Sequence, residues 1–215
     1  MRAEDVINVL NTLDSAGVRH WVGGGWGVAA LAGQQTREHR DLDLAVDAED
    51  LGCCLKVLDE LGYAVETDWL PVRIELRAPD SRWVDVHPVT FGADHHGRQP
   101  DLDGGHFDYP PTAFASGSIG GRLVNCLSVQ QQRQFHVGYD HRPQDIHDLA
   151  ELDAAELRRH NHPAEPPAGR CCGVPGTGQL AGARVPELFR AVNAGILSGL
   201  PDIRVNRRPR PGQDH

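Results

Sequence analysis

The chain has 215 residues, enough for one domain with an appendage, and its apolar share of 40% supports a packed core. A formal net charge of −9 disfavours a nucleic-acid partner, because holding a phosphate backbone calls for a basic surface. No stretch approaches the roughly 20 apolar residues that span a bilayer, and the N-terminus turns acidic at Glu4 and Asp5, so no membrane span or signal peptide is read and the cytoplasm is the expected compartment.

In chain order, Val6, Ile7, Leu10 and Leu13 recur at helical spacing and Gly17 is a natural stop. A short strand over 18–22 leads into Gly23-Gly24-Gly25, then a buried helix over 26–31 that Gly33 ends. Residues 34–40 have no apolar period and are expected to form a loop. From 41 to 46 the residues alternate strictly, with Asp41, Asp43 and Ala45 on one face and Leu42, Leu44 and Val46 on the other, which predicts a half-buried strand. A helix over 48–61 follows, then strands over 63–67, 72–77 and 83–89. Residues 91–111, rich in Gly, Asp and His, read as a long loop. Gly120-Gly121 marks a hairpin between 116–119 and 122–126, and Ser128 with Gln131 forms a capping box for a helix to about 136. A last helix is expected over 143–157.

Beyond 160 the chain is rich in Pro and Gly, as in a linker, and ends on a basic run at 207–211. The domain boundary is therefore placed near 160, with 1–160 as the compact domain and 161–215 as a partly disordered extension. The five cysteines form no C-x-x-C pair, so they are read as reduced thiols, and His160, His162, Cys171 and Cys172 are read as part of a solvated tail. The expected class is α+β, a mixed sheet packed by helices.

The chemistry is concentrated in the order strand, Gly24-Gly25, helix, loop, D-x-D strand, later Asp strand. Residues i and i+2 of a strand point the same way, so Asp41 and Asp43 share one face, where their mutual repulsion is relieved by a hard divalent cation. Asp85, in the alternating strand Trp83-Val84-Asp85-Val86-His87, is placed to add a third carboxylate. Such a site suits in-line displacement at the α-phosphate of a nucleoside triphosphate, with Mg2+ as the cofactor. Gly24 and Gly25 let backbone N–H groups approach phosphate oxygens, and Arg37 and Arg40 could grip the triphosphate.

The segments Trp21-Val22-Gly23-Gly24-Gly25-Trp26-Gly27-Val28, Arg37 to Leu44, Asp68-Trp69, Asp85-Val86-His87-Pro88 and Phe135-His136-Val137-Gly138-Tyr139-Asp140 resemble the antibiotic nucleotidyltransferases of the DNA polymerase β superfamily, most of all the small lincosamide enzymes. The resemblance covers about residues 1–155. It implies the nucleotidyltransferase fold and two Mg2+ ions bound by Asp41, Asp43 and Asp85, with Asp85 as general base. It also implies an NTP co-substrate, ATP by expectation, and transfer of AMP to a small-molecule hydroxyl. Trp69, Arg73, Glu75, His136 and Tyr139 are the expected acceptor contacts, with packing as the alternative for Trp69, His136 and Tyr139 and a plain surface position for Glu75. A lincosamide-like acceptor comes first; an aminoglycoside or a metabolite, or a non-catalytic nucleotide sensor, are the alternatives, and a homodimer is left open. One departure stands out: the family's aspartate two residues beyond Gly-Trp-Gly is here Ala29.

Overall fold

The computed structural model describes residues 1–161. Helix α1 (Ala3–Ser15) carries Val6, Val9, Leu10 and Leu13 on its buried stripe. Strand β1 (His20–Val22) leads through Gly23 into α2 (Gly24–Ala32), which stops at Gly33 in the left-handed conformation. Strand β2 (Asp41–Asp47) follows, then a 3-10 turn over Ala48–Asp50 and α3 (Leu51–Glu60). The buried Asp47 carboxylate accepts from the Glu49 N–H and pairs with Arg19 at 2.8 Å, which is why the expected single helix over 48–61 opens with a tighter turn.

Strands β3 (Ala64–Trp69), β4 (Arg73–Arg77) and β5 (Trp83–Phe91) match the three expected strands. The hairpin β8 (Phe114–Ile119) and β9 (Arg122–Leu127), with α4 (Val129–Gln134) and α5 (Pro143–Asn161), completes the described chain. The Ser128 hydroxyl caps α4 by accepting from the Gln131 N–H at 3.3 Å, while the Gln131 side chain, instead of closing the box, donates to the Asp108 carbonyl.

Two expectations are corrected. Residues 91–111 are not one long loop: β6 (Gly97–Pro100) and β7 (His106–Tyr109) pair as a hairpin that continues from β5. Its strands are four residues each, too short for alternation to stand out among the glycines and aspartates. Helix α2 opens at Gly24 rather than at Trp26, so the two glycines form its first turn. The extension beyond 161, with His162, Cys171, Cys172 and the basic run, lies outside the described residues; within them Cys53, Cys54 and Cys126 are free thiols.

The sheet runs in the order β3-β4-β5-β2-β1-β9-β8, with β2 parallel to β5 and antiparallel to β1. Leu42, Leu44 and Val46 of β2, with Val84 and Val86 of β5, join the main core made with α1, α2, α3 and α5. Each such side chain removed from water contributes about 1.5–3 kcal/mol, and a one-residue slip would turn the whole set outward, so the register is strongly fixed. The opposite face of β2 is left to Asp41, Asp43 and Ala45.

Candidate active site

Register assembles the acidic centre. The parallel pairing of β2 with β5 sets Asp43 beside Asp85, and the antiparallel pairing of β4 with β5 sets Glu75 on Asp85's other side. Three carboxylates thus form one row across three strands, with Arg73 two residues along β4 on the same face. The Arg73 guanidinium spans 2.8 Å to Glu75 and 3.2 Å to Asp85. Asp85 is only 4% exposed, deeper than an alternating strand with one solvated face predicts. Burial, then the charges of Asp43 and Glu75, push its pKa up to about 7. Its Oδ1 is buried with no hydrogen-bond partner.

Asp43, Asp85 and His87 bring ligand-capable atoms within 4.8 Å of one another. Asp41 is not in that group. Its carboxylate is held at 2.8 Å by Arg40, and both residues line the same cleft.

The glycines stand over this centre. Gly23 N–H donates to the Asp43 carbonyl at 2.9 Å, which ties the start of α2 to β2. Gly24 has φ +51, and a Cβ there would overlap the Asp43 Oδ2 atom. A Cβ on Gly25 would overlap the His39 ring and the Arg37 guanidinium. The N–H groups of Gly24, Gly25 and Trp26 have no acceptor within the helix, as at any helix start, so they are donors available to an anion.

Arg37 reaches the cleft but is held by Asp148 of α5, through Nε at 2.8 Å and Nη2 at 2.6 Å. Since Asp148 is 3% exposed, Asp148→Ala strands a partly buried guanidinium; the expected loss is about 2 kcal/mol of stability, read as a lower thermal midpoint.

The cleft holds about 870 Å³. One wall is the β6–β7 hairpin with Gln99, Phe107 and Tyr109; the other runs from Phe135 through His136 and Tyr139 to Asp145 and Asp148. His136 Nδ1 meets the Tyr139 hydroxyl at 3.0 Å, and Arg142 holds the Asp145 pKa down at about 2. Arg73 also lines the cleft, whereas Trp69 and Glu75 do not: Trp69 is 44% exposed with the Arg73 guanidinium 4.4 Å from its ring centre, and Glu75 grips Arg73 from below. Both therefore bear on the cleft through Arg73. Sequence reasoning missed Gln99, Phe107 and Tyr109, hidden in the segment read as a loop, and also Asp145 and Asp148. Those two stand three apart on an acidic helix that gives no sign of which carboxylates turn inward. Ala29 faces away from all this, onto a separate cavity of about 180 Å³ between α2 and the β8–β9 turn.

The family of aminoglycoside-2''-adenylyltransferases matches over residues 5–152. The chain belongs to that family. A lincosamide resistance protein of Staphylococcus haemolyticus is 32% identical over 149 residues, 69% of this chain and 92% of the relative. A 2''-aminoglycoside nucleotidyltransferase of Escherichia coli is 35% identical over 125 residues, 56% of this chain and 64% of that protein. Among solved structures, the lincosamide antibiotic adenylyltransferase LnuA with lincomycin bound superposes with a TM-score of 0.65 at 32% identity, covering 71% of this chain and 96% of its own. ANT(2'')-Ia with adenylyl-2''-tobramycin shares the fold at a TM-score of 0.57 and 21% identity, covering 74% and 95%. As a member of this family the chain has the nucleotidyltransferase fold expected from its Gly-Gly and D-x-D blocks. No helix among its described residues is long and apolar enough to cross a membrane.

Proposed function

We propose that the chain transfers a nucleoside monophosphate, AMP in the first instance, from a nucleoside triphosphate to a hydroxyl of a lincosamide-like antibiotic. The observation that carries this is the Asp43–Asp85 pair on adjacent parallel strands, set against the glycine start of α2. The donor set fits a hard divalent ion: carboxylate oxygens converge, and Asp85 Oδ1 is a buried acceptor with nothing to accept. Held by Asp41, Asp43 and Asp85, a pair of Mg2+ ions would supply neutralisation of triphosphate charge and easier ionisation of the acceptor hydroxyl.

The chain's own groups do the rest. The N–H groups at Gly24, Gly25 and Trp26 hold phosphate oxygens at the positive end of α2. Asp85, as its carboxylate, takes the proton of the acceptor hydroxyl. The acceptor oxygen then bonds to the α-phosphorus as the bond to the bridging oxygen breaks, and pyrophosphate leaves. Trp69 and Glu75 steady Arg73, while His136 and Tyr139 face the acceptor side; Arg37 and Arg40 flank the triphosphate.

The lincosamide class is favoured because similarity to the lincosamide resistance relative runs through 92% of that protein, against 64% for the aminoglycoside one. The test is incubation with Mg2+, each of the four common triphosphates, and a panel of lincosamides and aminoglycosides, read by mass. A gain of one nucleoside monophosphate on a lincosamide is expected. Mass gain confined to aminoglycosides overturns the acceptor class, and no product from either class overturns antibiotic transfer.

A further inference from the structure

The converging atoms of Asp43, Asp85 and His87 invite a reading in which all three bind the metal. The hydrogen bonds behind His87 point otherwise. Gln99 is 5% exposed, and one end of its amide lies 3.3 Å from the Val72 carbonyl and 3.1 Å from His87 Nδ1. A carbonyl only accepts, so that end is the amide nitrogen. The other end, the oxygen, accepts from the buried Tyr109 hydroxyl at 2.5 Å. The nitrogen therefore donates to His87 Nδ1, which must carry the lone pair. In the neutral ring the single proton then sits on Nε2, and Nε2 faces Asp43 Oδ1 at 3.5 Å.

We propose that His87 is a positioning residue: the chain Tyr109–Gln99–His87 fixes the tautomer that turns Nε2–H toward Asp43, and His87 does not ligate the metal. This rests on the reading of Asp43 as a metal-binding carboxylate. For Nε2 to coordinate an ion, its proton would have to move to Nδ1, where it would face the Gln99 amide donor. Turning the Gln99 amide over would set its oxygen against the Val72 carbonyl. Either way a buried polar group loses its partner. The Nε2–H tautomer leaves the Tyr109 hydroxyl, both ends of the Gln99 amide and His87 Nδ1 paired, and turns Nε2–H toward Asp43. It also divides the labour of Asp43, whose Oδ1 meets His87 while Oδ2 lies against Gly24 at the start of α2, where phosphate and ion are to be held. Polar contacts of this kind orient metal-binding carboxylates and tune their basicity.

Two measurements on the full chain test this. In the metal-free protein labelled with 15N-histidine, two-bond proton–nitrogen correlation spectra are expected to show His87 protonated at Nε2, and to lose that preference in Gln99→Leu. With Mn2+ as the probe ion, pulsed electron paramagnetic resonance is expected to show no 15N coupling from a bound imidazole. His87→Gln, which keeps an N–H near Nε2, should hold Mn2+ within about 3-fold of the wild type, and His87→Ala should lose about 10-fold or more. A proton on Nδ1, a bound-imidazole coupling, or a Gln variant no better than the Ala variant overturns the proposal while the metal site stands. Failure of the wild type to bind Mn2+ overturns the metal reading itself.

Discussion

Asp43→Asn is expected to lower nucleotidyl transfer by at least about 10³-fold while leaving the far-ultraviolet dichroism unchanged. The substitution keeps the size of the side chain, so the contact with Gly24 and the backbone bond from Gly23 survive. What it removes is one negative charge beside Asp85, and with it the carboxylate oxygen at the start of α2. The companion measurement is thermal unfolding with and without Mg2+. The wild type should gain stability from the ion because only the folded protein assembles the site, and the variant should gain little. Turnover within about 10-fold of the wild type would remove Asp43 from the metal site.

Asp85→Asn is expected to abolish turnover to a similar degree and, in metal-free buffer, to change stability in a pH-dependent way. Asp85 titrates near 7 in the folded protein against 3.8 when unperturbed, because burial and the Asp43 and Glu75 charges favour its protonated form. A raised pKa means a contribution to stability that is fully present below about 3.8 and lost as pH rises through about 7. Above that the wild type carries a buried carboxylate with Arg73 shared between it and Glu75. Asn carries no such charge, so the variant should match the wild type near pH 4 and exceed it at pH 8. The expected gain is on the order of 2 kcal/mol once screening in the open cleft is allowed for. Denaturant midpoints at the two pH values measure it. Equal midpoints at pH 8 would mean that Arg73 already neutralises Asp85.

Several features were legible because they are local. Period-two alternation from 41 to 46 is a property of one strand, and it placed Asp41 and Asp43 on the face away from Leu42 and Leu44. Gly33 and the Gly120-Gly121 pair announced a helix end and a hairpin because their backbone angles, φ +76, +56 and +81, are ones other residues resist. The family blocks carried the nucleotidyltransferase assignment, and the match over 5–152 agrees with it. The β6–β7 hairpin was less legible, since its four-residue strands carry only Phe107 and Tyr109 as an apolar face, too short a run to stand out among the glycines and aspartates around it.

The sequence by itself determined the fold class, the strand that presents the D-x-D pair, and the glycine turn beside it. Each follows from side-chain periodicity and backbone preference over a few neighbouring residues. Only the tertiary structure decided which partners those residues meet. Strand register set Glu75 and Asp85 beside Asp43, α5 brought Asp148 to Arg37, and the hairpin delivered Gln99 to His87. Such pairings join residues far apart in the chain, and they are settled by burying the apolar faces of whole strands and helices, which no local pattern can specify.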